Sequence, residues 1–248
     1  MNFAHCIGIR ALAFSPDGRW FATGSSDEKA RLWTFQLSDL IVQACLTAGR
    51  NLSLEEWQPH IDQSVASYQS TCAQHPPDRS VFLVMLRRGD GEQAFERYSK
   101  GQTLAPQHES PAAWLARLGA DIITEPGQLD HALAAYQRAV KADPVLPLVD
   151  ATTLNAYCRY AAPENVRIVG SACELAADRA PHNGNYAFNR GRARVMLGNY
   201  DGAIKDFEAF LAWAPGHPGA AEKMDLVNGW LADLRAGRNP IGSAPPTL

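Results

Sequence analysis

A proline recurs four times at nearly constant intervals along the chain. The intervals are 38, 37 and 34 residues, and the positions are Pro106, Pro144, Pro181 and Pro215. Twelve residues before each proline stands a small or β-branched residue, in the order Ala94, Ala132, Val169 and Ala203. Eight residues before each stands a larger one, in the order Tyr98, Tyr136, Cys173 and Phe207. Self-similarity at such a period predicts stacked copies of one supersecondary unit.

The pattern within each unit is that of the second helix of a helical hairpin. A small residue lets two helices approach, a large residue one turn later fills the space between them, and a proline past the helix end stops the helix. The last unit has the fullest pattern, with Gly191, Ala203 and Phe207 before Pro215. This register resembles the tetratricopeptide (TPR) repeat, whose period is about 34 residues.

The TPR resemblance implies a mainly α fold for most of the chain. We expect a TPR-like α-solenoid of about four helical hairpins over residues 78–240. Because a terminal repeat must cover the open end of the stack, we expect a capping helix at residues 220–236. Residues 241–248 contain two consecutive prolines, and we expect a disordered tail there.

Residues 1–36 have a different periodicity from the rest of the chain. Three short apolar runs, at residues 9–14, 20–23 and 30–33, are separated by turn sequences that contain Gly18 and Gly24. Short runs with turns at this spacing predict an antiparallel β meander. Between this segment and the repeats, residues 37–77 are predicted to form a helical connector. In it, Gly49 ends one helix, Ser38-Asp39 caps its start, and Ser53 with Glu56 forms a capping box.

The N-terminal segment resembles one WD40 repeat. The residues that carry the resemblance are Phe14-Ser-Pro-Asp-Gly18, Thr23-Gly-Ser-Ser-Asp27 and Arg31-Leu-Trp33. The resemblance implies a single antiparallel β WD40 blade and assigns the hydrogen-bonded chain of that family to His5, Ser25, Asp27 and Trp33. Ala4 stands where the family carries glycine. Because a buried His and Asp need partners to offset desolvation, we expect these four residues to hold the blade together and to do no chemistry.

A single blade leaves strand edges and an apolar face uncovered. We therefore expect the chain to be the C-terminal part of a longer WD40-repeat protein, or its blade to complete a propeller on another chain. Residues 150–240 are similar to the end of a bacterial family that joins WD40 propellers to helical tails. The sequences that carry this similarity include Arg190-Gly-Arg-Ala193 and Asn199-Tyr-Asp-Gly-Ala-Ile-Lys-Asp-Phe207. Some members of that family carry a caspase-like peptidase domain, which this sequence does not contain.

Composition and cysteine spacing exclude several classes of protein. The net charge is −3, which argues against a nucleic-acid binder, and no apolar run approaches the roughly 18 residues of a membrane span. Five cysteines are scattered without a C-x-x-C pair. We therefore expect reduced thiols and a cytoplasmic location.

No catalytic constellation is visible in the sequence. Cys158 and Cys173 fall at apolar helical positions without a histidine placed to activate them, and the seven histidines form no metal-binding motif. Asp201 and Asp206 are expected at turn or solvent-facing positions. We therefore expect no enzymatic activity, no metal site and no cofactor.

Polar residues on the first helix of the last hairpin are the candidate binding site. The spacing from Gly191 turns Asn185, Phe188, Asn189 and Arg192 toward the concave groove that first helices line in TPR proteins. Asn155 occupies the place of Asn189 in the preceding unit. Arginine suits bidentate capture of a carboxylate, so a peptide C-terminus or an acidic segment is the expected ligand. The alternative is a solvated helix face whose arginines pair with Asp201 or Glu208.

These observations favour a protein–protein interaction scaffold that binds peptide or protein partners through the TPR-like groove. The alternative is a regulatory or sensor tail of a larger or neighbouring enzyme, such as a caspase-like peptidase. Nucleic acid and membrane partners are not expected. The sequence leaves the identity of the partner and the oligomeric state open.

Overall fold

A computed structural model describes residues 8–34, 36–64, 67–72, 75, 77–104, 109–146 and 148–241, without the side chains of 101–104. The chain forms two compact units, Met1–Val81 and Phe82–Leu248. The first contains a three-stranded antiparallel sheet and short helices, and the second is built from helices. The predicted fold class, a mainly α repeat fold preceded by a small antiparallel sheet, is confirmed.

The sheet of the first unit has the strand order β1-β2-β3, with β1 at Ile9–Phe14, β2 at Trp20–Ser25 and β3 at Ala30–Thr34. Both pairings are antiparallel. Gly18 has φ 69° in the turn between β1 and β2, a conformation that glycine adopts without a steric penalty. The three strands lie where the sequence predicts them, and β2 continues two residues further, to Ser25.

Large apolar side chains of the sheet are exposed to solvent among the described residues. Register places Phe14 opposite Phe21, and their ring centroids are 5.0 Å apart. Leu12, Phe14 and Leu32 are each more than half exposed, at 62%, 61% and 71%. This sheet therefore does not bury its own apolar side chains within the part of the chain that the structure describes.

Two helices follow the sheet, α1 at Leu37–Ala48 and α2 at Leu54–His60. Gly49 ends α1 in the left-handed conformation, as predicted. The N-cap of α1 is Gln36, not the predicted Ser38-Asp39, because the helix begins directly after β3. Ser53 and Glu56 form the predicted capping box on α2.

A buried asparagine connects the loop after α1 to the segment that precedes the second unit. The Asn51 side-chain amide donates to the carbonyl oxygens of Cys72 (3.1 Å) and His75 (2.7 Å), and its oxygen accepts from the Cys72 backbone N–H (2.8 Å). The Asn51 side chain is almost fully buried, and both its nitrogen and its oxygen have hydrogen-bond partners. It therefore fixes the position of the irregular segment that contains Cys72 and His75.

Four successive helix pairs account for most of the second unit. Their bounds are α3 (Arg79–Arg87) with α4 (Gly91–Leu104), α5 (Pro111–Ile122) with α6 (Leu129–Ala142), α7 (Ala151–Arg159) with α8 (Val166–Arg179), and α9 (Gly184–Met196) with α10 (Tyr200–Trp213). The boundary between the two compact units falls within α3, after Val81. A 3-10 helix at Ala214–Gly216, α11 at Pro218–Ala221 and α12 at Met224–Arg235 follow.

The repeat register predicted from the sequence matches the packing. The four small residues of the register, Ala94, Ala132, Val169 and Ala203, are fully buried on second helices. The larger residues one turn later, Tyr98, Tyr136, Cys173 and Phe207, are buried as well. Pro144, Pro181 and Pro215 come directly after the ends of α6, α8 and α10, and Pro106 lies outside the described residues.

Glycines on first helices allow neighbouring helices to approach closely. A Cβ on Gly191 would lie 2.7 Å from the ring of Phe207, and a Cβ on Gly119 would overlap the hydroxyl of Tyr157. The same hydroxyl donates to the Ala116 carbonyl at 2.5 Å. These glycines are therefore required by packing, since any side chain would push the ring or hydroxyl away.

The end of the stack is covered by α12, as predicted for the capping helix. Trp230 lies against Phe188 and Phe207, with ring centroids 5.9 Å and 5.4 Å apart. Ile241 packs into the same cluster and is buried, which corrects the predicted disordered tail at its first residue. The chain reaches back to the core there because an apolar side chain follows the turn after α12. Residues 242–248 lie outside the described residues.

Two disulfides, Cys45–Cys72 and Cys158–Cys173, replace four of the five predicted reduced thiols, and Cys6 lies outside the described residues. The antiparallel packing of α7 and α8 brings the Cα atoms of Cys158 and Cys173 to 4.9 Å, within the range for a disulfide. Because disulfides are typical of oxidising compartments, the cysteines no longer support the predicted cytoplasmic location. Among the described residues, no helix is long and apolar enough to cross a membrane.

Replacing Gly191 by alanine tests the close approach of α9 and α10. We expect Gly191→Ala to lower the free energy of unfolding by about 1–3 kcal/mol, because the new methyl group overpacks against Phe207. The matched control is Gly229→Ala in α12, where nothing lies within 4 Å of the added Cβ. That control should be neutral or stabilising by about 0.5–1 kcal/mol, since alanine has the higher helix propensity. Urea denaturation measures the free energy of unfolding of both variants. Equal changes would contradict the close contact between Gly191 and Phe207.

Removing the Cys158–Cys173 bond should weaken the second unit. The bond closes a loop of 15 residues, for which chain entropy predicts a contribution of about 3 kcal/mol. We expect Cys158→Ala with Cys173→Ala to lower the free energy of unfolding by about that amount under non-reducing conditions, measured by urea denaturation. Complete alkylation of Cys158 and Cys173 in the unfolded, unreduced protein would show that the bond does not form.

Candidate functional site

A groove of about 650 Å³ opens in the second unit near the end of the stack. It lies between α7, the first half of α9 and the segment that follows α10. Its lining includes Asn155, Arg159, Asn185, Phe188, Asn189, Trp213, His217 and Lys223. The groove exists because the first helices of two adjacent hairpins lie side by side while the chain after α10 turns across their ends.

Four of the five residues predicted to bind a peptide line this groove. These four are Asn155, Asn185, Phe188 and Asn189. Arg192 lies one turn beyond Asn189 on α9, is not part of the lining, and is only 2% exposed. Helical side chains lean toward the N-terminus of their helix, so Arg192 extends toward the turn that carries Phe188 and Asn189.

Two asparagines form a buried pair at the side of the groove. The Asn189 Nδ2 group donates to Asn155 Oδ1 at 2.8 Å across the two first helices. This bond uses one hydrogen of the Asn189 amide and one acceptor site of Asn155. Each carboxamide retains further hydrogen-bonding capacity.

Stacked rings form the opposite side of the groove. The rings of Trp213 and His217 are nearly parallel, with centroids 3.6 Å apart, and His217 Nδ1 lies 3.0 Å from the Trp213 carbonyl oxygen. Gly184 permits this arrangement, since a Cβ there would lie 2.5 Å from the Trp213 ring. These rings give the groove an apolar surface.

Positive charge gathers at the groove. The Lys223 ammonium lies 4.9 Å from the centroid of the Phe188 ring, and Arg159 is an exposed residue of the lining. Burial lowers the pKa of Lys223, and the charges of Arg192 and Arg159 lower this pKa further, against a smaller opposing effect of Glu222. Sequence reasoning did not identify Arg159 or Lys223. Arg159 could have been identified from the sequence, because it lies one turn after Asn155 on α7 and therefore on the same face of that helix.

Arg192 has an unusual environment for an arginine. Burial lowers the pKa of its guanidinium, and its Nε and Nη1 atoms have no hydrogen-bond partner among the described residues. No ion pair joins Arg159, Arg192 or Lys223 to a carboxylate in the part of the chain that the structure describes.

The neighbouring arginines of α9 are used for structure. Arg190 and Arg194 both pair with Asp206 of α10, at 2.7 Å and 2.9 Å, and Arg194 also pairs with Glu174 of α8 at 2.6 Å. The predicted solvent-facing position of Asp206 is therefore wrong, because Asp206 is only 2% exposed. The antiparallel packing of α9 on α10 turns this carboxylate inward between the two guanidinium groups.

The predicted pairing of these arginines with Asp201 or Glu208 is also wrong. Glu208 instead pairs with Arg235 of α12 at 2.7 Å. Burial raises the pKa of Asp206, while the hydrogen bonds and charge of Arg190 and the charge of Arg194 oppose that rise. The cluster is therefore a buried network that holds α8, α9 and α10 together.

Three of the four predicted WD40 side chains, Ser25, Asp27 and Trp33, lie in the described part of the sheet unit. The Asp27 backbone N–H donates to Ser25 Oγ at 3.2 Å, and the Asp27 carboxylate pairs with Arg31 at 2.9 Å. The Trp33 indole N–H donates to Thr23 Oγ1 at 2.9 Å. Sequence reasoning missed Thr23, although it alternates with Ser25 on β2. His5 lies outside the described residues, so the complete chain through His5, Ser25, Asp27 and Trp33 stays a prediction.

Metal ligands do not cluster in the structure. Within the described ranges, no group of three or more His, Cys, Asp or Glu side chains could hold a metal ion. The chemistry available at the groove is hydrogen bonding, apolar contact and electrostatic attraction of an anion.

Comparisons with known proteins agree with the N-terminal resemblance. Residues 2–34 match the family described as WD domain, G-beta repeat. The ribosome biogenesis protein ERB1 of Debaryomyces hansenii is 34% identical over 65 residues, which is 25% of this chain and 8% of that protein. The chain thus spans less than a tenth of the length of this yeast relative. A bacterial source stays a prediction.

One similar solved structure is the first TPR of Spaghetti (RPAP3) bound to the HSP90 peptide SRMEEVD. It is 25% identical, and the similarity covers 50% of this chain and 98% of that chain with a TM-score of 0.35.

Proposed function

We propose that this chain is a non-enzymatic protein-interaction scaffold that holds a peptide segment of a partner protein in the groove between α7, α9 and the segment after α10. The observation that carries the proposal is the convergence of Asn155, Asn185, Phe188 and Asn189 on one groove. These residues come from two repeats and are 30 or more positions apart in the sequence, except within α9.

The groove offers each kind of contact that peptide recognition needs. Paired amides suit the alternating donors and acceptors of an extended backbone. The rings of Trp213 and Phe188 suit an apolar side chain, and rigid aromatic residues contribute strongly to binding at small entropic cost. The positive charge of Arg159 and Lys223 favours a peptide that carries negative charge.

Charge reversal at Arg159 tests the groove as the binding site. Peptides selected by display on the full chain serve as probes, and fluorescence anisotropy measures their Kd. We expect Arg159→Glu to raise the Kd about tenfold, because repulsion replaces attraction for an acidic peptide. Arg159 is exposed and contributes no ion pair among the described residues, so the fold should tolerate the change.

The matched control is Arg167→Glu. Arg167 is an exposed arginine on α8 and does not line the groove. We expect a Kd within about twofold of the unmodified chain, as for charges at a distance from the ligand. If both substitutions raise the Kd equally, the effect reflects only the change in net charge. If neither changes the Kd, the peptide binds elsewhere on the chain.

A second role is favoured by the apolar sheet of the first unit. Leu12, Phe14 and Leu32 are exposed among the described residues, and residues 2–34 match a WD40 repeat. We propose that further WD40 sheets, in the same or another chain, cover this sheet. In this role the chain is a non-catalytic regulatory part of a larger assembly. A caspase-like peptidase is the enzyme that the sequence resemblance suggests.

Introducing charge on the sheet tests this second role. We expect the chain alone to bind anilinonaphthalene sulfonate and to self-associate in sedimentation experiments, because no described residue covers the apolar side chains of the sheet. Leu32→Lys should lower both signals several-fold, whereas Glu28→Lys in the exposed turn before β3 should not. Absence of dye binding by the unmodified chain would show that the sheet is already covered.

A further inference from the structure

One buried charge is not explained by the packing of the second unit. Arg192 is 2% exposed, and its Nε and Nη1 atoms have no hydrogen-bond partner among the residues that the structure describes. A buried guanidinium without an anion is unfavourable, since the loss of hydration is not offset by a protein contact. Arg190 and Arg194, on the same helix, show what a structural arginine does here, because both pair with the buried Asp206.

Two further cations lie near Arg192. Arg159 and Lys223 line the groove, and none of the residues that line it is acidic. The Lys223 ammonium lies 4.9 Å from the centroid of the Phe188 ring, one turn before Arg192 on α9, and the charges of Arg192 and Arg159 each lower the pKa of Lys223. The second unit therefore brings together three like charges, which an anionic ligand would stabilise.

The number of cations distinguishes between classes of anion. A carboxylate carries one negative charge and two oxygens, whereas a phosphate monoester carries about −1.5 to −2 charges at pH 7 and three strong acceptor oxygens. Three cationic groups can each bind one of those oxygens, and two of them are guanidinium groups, which suit phosphate geometry.

We infer that Arg159, Arg192 and Lys223 form a subsite for a phosphate monoester carried on the peptide that occupies the groove. The inference rests on the proposed function for the peptide and on the three cations for the phosphate. The Asn155–Asn189 pair and the Trp213–His217 stack then contact the residues that flank the phosphorylated side chain.

A matched pair of small probes tests the phosphate subsite on the full chain. Phenyl phosphate and benzoate carry the same ring and differ in charge and in the number of acceptor oxygens. Isothermal titration at fixed ionic strength should give a Kd for phenyl phosphate at least tenfold below that for benzoate. Equal affinities, or no binding of phenyl phosphate, would overturn the inference.

Substitution of Arg192 separates a ligand-binding role from a structural one. Arg192→Met keeps an unbranched side chain and removes the charge. We expect at least a tenfold loss of phenyl phosphate affinity together with an unchanged or raised Tm, because an uncompensated buried charge is gone. A lowered Tm with unchanged affinity would show that Arg192 is structural and would overturn the inference.

Lys223→Gln keeps the test decisive if Arg192→Met does not fold. Lys223 is only half-buried, and its substitution should also weaken phenyl phosphate binding several-fold. Lys205→Gln, at an exposed position of α10, is the control and should leave the affinity unchanged. Equal losses in both variants would indicate a nonspecific charge effect and would overturn the inference.

The peptide arm distinguishes the two proposals. A display library with a fixed phosphothreonine is compared with the same library carrying threonine. Preferential recovery of phosphothreonine peptides, lost in Lys223→Gln, supports the subsite. Unphosphorylated peptides that bind equally well and depend on Arg159 would overturn the subsite and leave the proposed function standing. If phenyl phosphate binds but neither library yields a binding peptide, the result would contradict the proposed function and leave the phosphate subsite standing.

Discussion

The close contact between the two helices of each hairpin determines most of what the second unit can do. At Gly191 the absence of a side chain lets Phe207 lie directly against α9, and at Gly119 the same absence lets Ala135 of α6 approach α5. Helix separation in such pairs is set by the side chains at the contact. Because α9 and α10 are so close, Asp206 reaches both Arg190 and Arg194 and is excluded from water.

The same contact gives the three arginines of α9 two different environments. Residues 190 and 194 are one turn apart and face α10, so they share the carboxylate of Asp206. Arg192 lies between them in sequence and therefore points away from that network, toward the side of α9 that carries Asn189. A buried ion pair contributes little net stability, but removing one partner from it is costly. The network thus fixes the rotation of α9 about its axis, and this rotation presents Phe188 and Asn189 to the groove.

The features that could be predicted from the sequence are those that depend on local or repeated patterns of residues. Strands β1 to β3, the glycine at the end of α1 and the capping box of α2 depend on residues a few positions apart, and the proline register depends on a pattern repeated along the chain. The groove residues on α9 followed from helical spacing relative to Gly191. Asn155 followed from the repeat period, which relates positions in adjacent units.

The features that could not be predicted depend on contacts between distant elements. Cys158 and Cys173 belong to different helices, and only the packing of α7 on α8 shows that they meet. Burial of Asp206 depends on two arginines from another helix, and polarity alone suggested a solvent-facing position. Lys223 joins the groove because the chain after α10 turns back across the hairpin ends. Thr23 is reached by Trp33 through strand pairing, which the repeat motif does not specify.

The Cys158–Cys173 bond makes the two sides of the groove mechanically unequal. Cys158 is next to Arg159 and one turn after Asn155, so a covalent link to α8 restrains the wall that carries these two residues. The opposite wall consists of a 3-10 helix and the four-residue α11, where residues 215–219 are exposed and few side chains pack. Regions with few buried contacts open most easily. We therefore expect the segment after α10 to move more easily than α7 if a ligand enters the groove.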